Sequence, residues 1–187
     1  MLSFVYISLI ISVLLKTVIS ADLCNTAVAN DIKSQIDACN GQADANTCVT
    51  NVDTAFYGSH ECFTTISLAP HPSGNNKPYE VNFNPSSDLI INGGKNHLFS
   101  VDSPVGSLIV NCNGGFKTIF KGFTPDNNGG VIYTNNSDIT INGNCVFEGN
   151  SVDVVNGKGG AIYAINANIE LRADTGQEMH FTSNYSF

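Results

Sequence analysis

Sixteen acidic side chains and four histidines are the groups available for acid–base or metal chemistry in this 187-residue chain. Carboxylates in such numbers serve polysaccharide cleavage when two are held at a fixed separation, sometimes beside a base or a bound calcium ion. Here they are scattered. Asp88 and Asp138 begin two similar segments, "DLIING" at 88–93 and "DITING" at 138–143, which suits a turn cap on each. His60, His71, His97 and His180 share no metal-ligand spacing, and His180, directly before Phe181, reads as a surface residue. Arg172, the only arginine beside seven lysines, reads as part of a solvated face. No nucleophile elbow, phosphate loop, dinucleotide fingerprint, H-E-x-x-H pair or calcium-binding nonapeptide repeat is present. The sequence therefore nominates no catalytic, cofactor or metal residue. A net charge of −8 without a basic patch argues against nucleic acid as a partner.

The cysteines point to an oxidising compartment. "MLSFVYISLIISVLLKTVIS", residues 1–20, has the apolar core and small final residues of a secretory signal, and no other segment is long and apolar enough to span a membrane. Six cysteines follow it. Cys24, Cys39, Cys48 and Cys62 fall close together and are expected to form two disulfides, with three connectivities open. A zinc site is disfavoured by the lack of any C-x2-C pair. Cys112 and Cys145 read as buried small hydrophobes. Two N-glycosylation patterns, at Asn135 and Asn184, matter only in a eukaryotic host.

What must position these residues is a repeat. "GGVIYTNNSDITINGNCVFEGN" at 129–150 aligns with "GGAIYAINANIELRADTGQEMHFTSN" at 159–184 once four residues around "ADTG" are set aside. Gly129-Gly130 matches Gly159-Gly160, and Phe147-Glu148-Gly149-Asn150 matches Phe181-Thr182-Ser183-Asn184. Apolar-x-apolar elements recur at 88, 107, 138 and 168, at spacings of 19, 31 and 30 residues. That alternation is the signature of a half-buried strand, and no helical pattern separates the copies. Self-similarity near thirty residues favours a solenoid over a sandwich or barrel. The expected fold is all-β, a right-handed parallel β-helix with three strands per coil. Gly-Gly would make the corner, the Val131 or Ala161 after it would point inward, and Phe147 and Phe181 would form an internal row. Asn150 and Asn184 would stack at a corner, with Asn92, Asn111 and Asn142 as a second ladder. In "NTAVANDIKSQIDACNG", 25–41, Val28, Ala29, Ile32, Ile36 and Cys39 share one helical face, and this short amphipathic helix is expected to cap the stack. The expected organisation is a signal at 1–20, a Cys-rich cap at 21–75 with a loop at 71–78, and repeats at 76–187.

Gly159-Gly160-Ala161-Ile162, its variant Gly129-Gly130-Val131-Ile132, and the two Phe-x-x-Asn segments together resemble the repeats of chlamydial polymorphic outer-membrane proteins, a family also met as surface proteins in some protists. The likeness is clear over 120–187. It thins over 80–120, where Phe116-Lys117-Thr118-Ile119 and Phe120-Lys121-Gly122-Phe123 lack the asparagine, and it leaves out 21–75. The resemblance implies an extracellular β-helix passenger that mediates adhesion and varies antigenically, at the outer membrane if the source is bacterial. The expected function is accordingly a secreted or surface-displayed adhesion or structural module, without catalysis, whose partner is a host or cell-surface glycan or protein. The alternative is a polysaccharide-active or carbohydrate-binding β-helix protein, pectate-lyase-like. The sequence stops after Phe-x-x-Asn, before another Gly-Gly is due, so a stack truncated at its C-terminal coil, and self-association through that coil, are also expected.

Overall fold

The computed structural model describes residues 26–40, 48–52, 65–68, 77–101 and 106–186. Residues 1–20, read above as a signal, lie outside them, as do Cys24, Cys62, His60, His71, residues 71–76 and the side chains of Val28, Ala29 and Cys48. Helix α1 (Thr26–Asn40) leads into β1 (Cys48–Val52) and β2 (Ile66–Ser67). A coil follows of β3 (Pro78–Phe83), β4 (Leu89–Gly94) and β5 (Phe99–Val101), then one of β6 (Ser107–Cys112), β7 (Thr118–Phe123) and β8 (Ile132–Asn135). The next comprises β9 (Asp138–Gly143), β10 (Cys145–Glu148), β11 (Ser151–Val152) and β12 (Ile162–Ile165), and the last β13 (Ile169–Arg172), β14 (His180–Thr182) and β15 (Tyr185–Ser186). Like strands stack on like. Sheet A is β1-β3-β6-β9-β13, sheet B is β2-β5-β8-β12, sheet C is β4-β7-β10-β14, and β11 pairs with β15. Every pairing is parallel. The result is a β-solenoid of about four turns.

Alternation along each strand sends one set of side chains into the stack. Val81, Val110 and Ile141 are register partners in sheet A and all 0% exposed. Burying an aliphatic side chain of this size stabilises by about 1.5–3 kcal/mol, and each such column repeats the gain once per coil. The aromatic column in sheet C runs Ile91, Phe120, Phe147, Phe181. Ring centroids are 5.0 Å apart for Phe120–Phe147 and 4.7 Å for the stacked Phe147–Phe181 pair. The row is therefore longer than the two rings expected from sequence. Phe116 has no place in it and is exposed. Phe181 is 44% exposed because no coil lies beyond it among the described residues.

The two glycines of Gly-Gly do different work. Gly129 and Gly159 have φ of 82° and 69°, which only glycine adopts freely. Gly130 sits where a Cβ would lie 1.7 Å from Gly160 O, and a Cβ on Gly160 would lie 2.4 Å from Tyr185 N. One glycine permits the bend and the next lets the adjacent coil's backbone pass. Val131 and Ala161 then turn inward, 0% and 6% exposed.

The stack differs from its sequence reading in three places. "DLIING" and "DITING" are not equivalents: the first is β4 in sheet C, the second β9 in sheet A. Sheet A is continued upstream of "SLIVNC" by Pro78–Phe83, 29 residues before Ser107, and the spacing of 19 marked a change of sheet. The stack also begins before residue 76, because β1 and β2 already pair with β3 and β5. Asn92 lies in sheet C beside Lys121 and is not part of the asparagine ladder of sheet A.

Helix α1 closes the N-terminal end. Ile32 and Ile36 are buried in the core, with Cys39 packed against it. Gln35 imitates a neighbouring strand: its Nε2 donates to Asn51 O (3.1 Å) and its Oε1 accepts from Asn51 N (3.0 Å). No helix among the described residues is long and apolar enough to cross a membrane.

Candidate functional site

The Phe-x-x-Asn segments are corners held by side-chain amides. Asn150, 0% exposed, donates from Nδ2 to Phe120 O (3.0 Å) and accepts at Oδ1 from Phe123 N (3.0 Å), spanning the turn of the coil before it. Asn184 repeats this one coil later. Its Nδ2 donates to Phe147 O (2.8 Å), and its Oδ1 accepts from Asn150 Nδ2 (2.9 Å) and Asn150 N (3.2 Å). Where the asparagine is replaced by Phe123, the ring fills the space left by Gly93: a Cβ there would meet it at 1.9 Å. The thinning of the motif over 80–120 is thus a swap of an amide corner for an aromatic one.

Cys112 and Cys145 are not separate buried thiols as read from sequence. They form a disulfide with Cα atoms 5.4 Å apart. Cys112 lies opposite Gly143 in register, so Cys145 begins the next strand around the corner, and the bond staples sheet A of one coil to sheet C of the next. Gly143 has φ 85° and leaves no room for a Cβ, which would lie 2.2 Å from Cys112 O. Cys39 is disulfide-bonded. The pairing of Cys24, Cys48 and Cys62 lies outside the described side chains.

The lateral faces are where a partner can touch the molecule. On sheet A, Asn51, Asn82, Asn111 and Asn142 form a ladder, each Nδ2 donating to the Oδ1 before it at 3.1, 2.7 and 2.6 Å. Asn84 and Asn113 add a shorter one at 3.1 Å. On sheet B, Tyr133 and Tyr163 stand outward in register with ring centroids 6.2 Å apart, and Lys158 Nζ lies 6.0 Å from the Tyr163 ring. A cleft of about 380 Å³ adjoins this row, with Lys95, Asn96, Ser100, Asp126 and Asn127 at its wall. His97, 4% exposed, closes its floor. Both ring nitrogens of His97 face oxygens, Nδ1 the carbonyl of Gly129 and Nε2 the Asn127 Oδ1 at 2.6 Å. The ring is also 6.1 Å from Tyr133, so it braces the Gly-Gly corner on one side and the tyrosine row on the other.

The groups singled out for chemistry remain apart. Asp88 Oδ1 accepts from Lys117 N (2.9 Å) and Asp138 Oδ1 from Asn168 N (2.7 Å): each carboxylate caps the next coil. Glu148 pairs with Lys121 (2.9 Å), Glu170 with Arg172 (2.7 Å) and Glu178 with His180 (3.1 Å), all at the surface. Among the described residues no three His, Cys, Asp or Glu side chains are grouped to hold a metal ion. Of the two glycosylation patterns, Asn135 ends β8 on the outer face, its Oδ1 accepting from Asn136 Nδ2 (3.0 Å). Asn184 has its amide committed to the corner, and a glycan on Nδ2 displaces the bond to Phe147. The sheet B cleft escaped sequence reasoning. Its one available signal was the Tyr133/Tyr163 match, whose position directly after inward Ile132 and Ile162 fixes an outward direction.

The architecture is that of a parallel β-solenoid, and its repeat is recognisable. Residues 138–165 match the family model of the Chlamydia polymorphic membrane protein (Chlamydia_PMP) repeat. That span runs from the first residue of β9 to the last of β12, one circuit of the stack. Comparison with curated proteins and with solved structures gives no match.

Proposed function

We propose that this protein is a secreted or surface-displayed β-helix module that binds a cell-surface glycan or protein through a lateral face, and that it is not an enzyme. The observation that carries the reading is the open face of sheet B, where Tyr133 and Tyr163 stand in tandem beside Lys158 and the His97 cleft. Tyrosine offers a rigid apolar ring with a polar tip, a combination enriched where proteins contact partners. Two rings on successive coils present a strip that the apolar face of a sugar chain can follow. The match to the Chlamydia polymorphic membrane protein repeat supports a place at the cell surface. The way the carboxylates are spent, as coil caps and separate ion pairs, supports a non-catalytic role. In a eukaryotic host, Asn135 is the acceptor for an N-glycan and Asn184 is not. The test is a glycan array and a cell-binding assay with the purified protein and its Tyr133→Ala/Tyr163→Ala variant. Loss of binding in a variant with unchanged circular dichroism is expected. New reducing ends or unsaturated products from any polysaccharide overturn the non-catalytic reading.

A further inference from the structure

The corner that leads into sheet B repeats one position in three coils. Leu98 N donates to Val131 O (2.8 Å) and Val131 N to Ala161 O (2.6 Å), so these inward residues are successive members of one column. Three residues before each stand Lys95, Asn128 and Lys158. Lys158 N donates to Asn128 Oδ1 (2.8 Å), in keeping with that register. The two lysines therefore lie two coils apart on one edge, about 10 Å at the usual strand spacing. Beside this edge runs the outward column Ser67, Ser100, Tyr133, Tyr163. The column drops from tyrosine to serine at Ser100, and the cleft, which Lys95 also lines, lies at that step. The charges are distinctive. On a chain of net charge −8, Lys33, Lys121 and Arg172 are paired with Asp37, Glu148 and Glu170. Lys95, Lys117 and Lys158 are exposed and have no carboxylate partner among the described residues, and two of those three are the pair on this edge.

We infer that the ligand of this face is a linear acidic glycan, whose sugar rings lie along Tyr133 and Tyr163 and whose anionic groups, carboxylate or sulfate, meet Lys95 and Lys158. The inference rests on the sheet B reading proposed above and narrows its partner class. Each tyrosine offers a flat apolar ring to the C–H face of a sugar and a hydroxyl to its polar edge. Lys158 is held beside the second ring, with Nζ 6.0 Å from the Tyr163 centroid. An ammonium without a partner on an acidic protein favours an anion by direct contact and by local complementarity, against the field of the rest of the surface. Asp126 also lines the cleft and forms no ion pair among the described residues. A carboxylate there accepts sugar hydroxyls and repels an anion set deep in the cleft, so the anionic group sits at the rim, by Lys95. The size also suits a glycan. The strip is one residue wide, and the cleft of about 380 Å³ lies at the small end of ligand pockets, whereas a stable protein partner needs a broad surface of about 800 Å².

The test is binding of the purified full chain to immobilised hyaluronan, whose anions are carboxylates, to heparin, which adds sulfates, and to neutral dextran. Lys95→Gln, Lys158→Gln, Lys117→Gln and Tyr133→Ala/Tyr163→Ala are run beside the wild type. Binding to an acidic polymer and not to dextran, weakening as salt is raised, is expected. Lys95→Gln and Lys158→Gln should each weaken it about tenfold. Lys117→Gln removes the same charge elsewhere and should leave it unchanged. All three lysines are exposed, and unchanged circular dichroism shows that the coils are intact. Retention on hyaluronan assigns the anion as carboxylate, and retention on heparin alone assigns it as sulfate. Equal binding to dextran overturns the inference, as does a loss with Lys117→Gln as large as with the other two. A wild-type chain that binds neither acidic polymer, while the tyrosine variant still loses cell binding, overturns the acidic glycan and leaves the sheet B reading standing. A tyrosine variant that binds cells as the wild type does overturns the sheet B reading itself.

Discussion

Phe147→Ala probes the centre of the stack. Its ring is 0% exposed and lies between Phe120, 5.0 Å away at 32°, and Phe181, 4.7 Å away at 5°. Removing a fully buried phenyl costs about 3–5 kcal/mol, and each aromatic pair contributes about 0.5–1.5 kcal/mol beyond its buried area, so a loss of about 4 kcal/mol is expected. For a chain of this size each kcal/mol lowers the melting temperature by about 2–4 °C, which gives a fall of roughly 8–16 °C. Phe181→Ala is the internal control. Its ring is 44% exposed and stacks on one neighbour only, so about 1.5–2 kcal/mol is expected. Urea unfolding of the disulfide-intact protein, followed by circular dichroism, gives both numbers. If Phe147→Ala costs no more than Phe181→Ala, the aromatic column is not continuous and the coil stacking is wrong.

Three further outcomes follow from the corners. Gly130→Ala drives a Cβ onto Gly160 O and should cost at least about 3 kcal/mol or prevent recovery of folded protein, whereas Gly115→Ala, with nothing within 4 Å, should stay within about 1 kcal/mol of wild type in the same unfolding assay. Asn150→Ala removes the two buried bonds that tie Phe123 N–H and Phe120 C=O across the corner and should cost about 2–5 kcal/mol, against less than about 1 kcal/mol for Asn142→Ala in the outer ladder. Non-reducing peptide mapping should find Cys112 linked to Cys145, and replacing both by alanine should cost about 3–4 kcal/mol, as expected for a cross-link between residues 33 apart.

The solenoid was legible because its corners need particular residues: glycine where φ is positive or a coil passes closely, asparagine where an amide must bridge two peptides. Those constraints are written twice, at 129–150 and 159–184. Sheet membership was harder to read. Apolar-x-apolar alternation is the same in every sheet, so "DLIING" imitated "DITING" although it faces a different side of the stack; only the spacing distinguished them. The Cys112–Cys145 bond was invisible for a related reason. A separation of 33 suggests nothing until register sets Cys112 opposite Gly143, two residues before Cys145. The ladder lacked Asn51 and Asn82 in the sequence reading because their strands precede the recognisable repeats. The sheet B cleft was not legible because His97, Asn127 and Gly129 come together only once coils are stacked.

All of these faces and columns depend on one property, parallel stacking with a repeat near thirty residues. Paired nitroxides test it directly. Glu80→Cys and Thr140→Cys place labels on the outer face of sheet A two coils apart, in the column Glu80, Ile109, Thr140. At about 4.8 Å per coil their backbones lie about 10 Å apart, and the doubly labelled protein should show strong dipolar broadening absent from either single label. Spectra that equal the sum of the two single labels would contradict the stack, and with it the face proposed for binding.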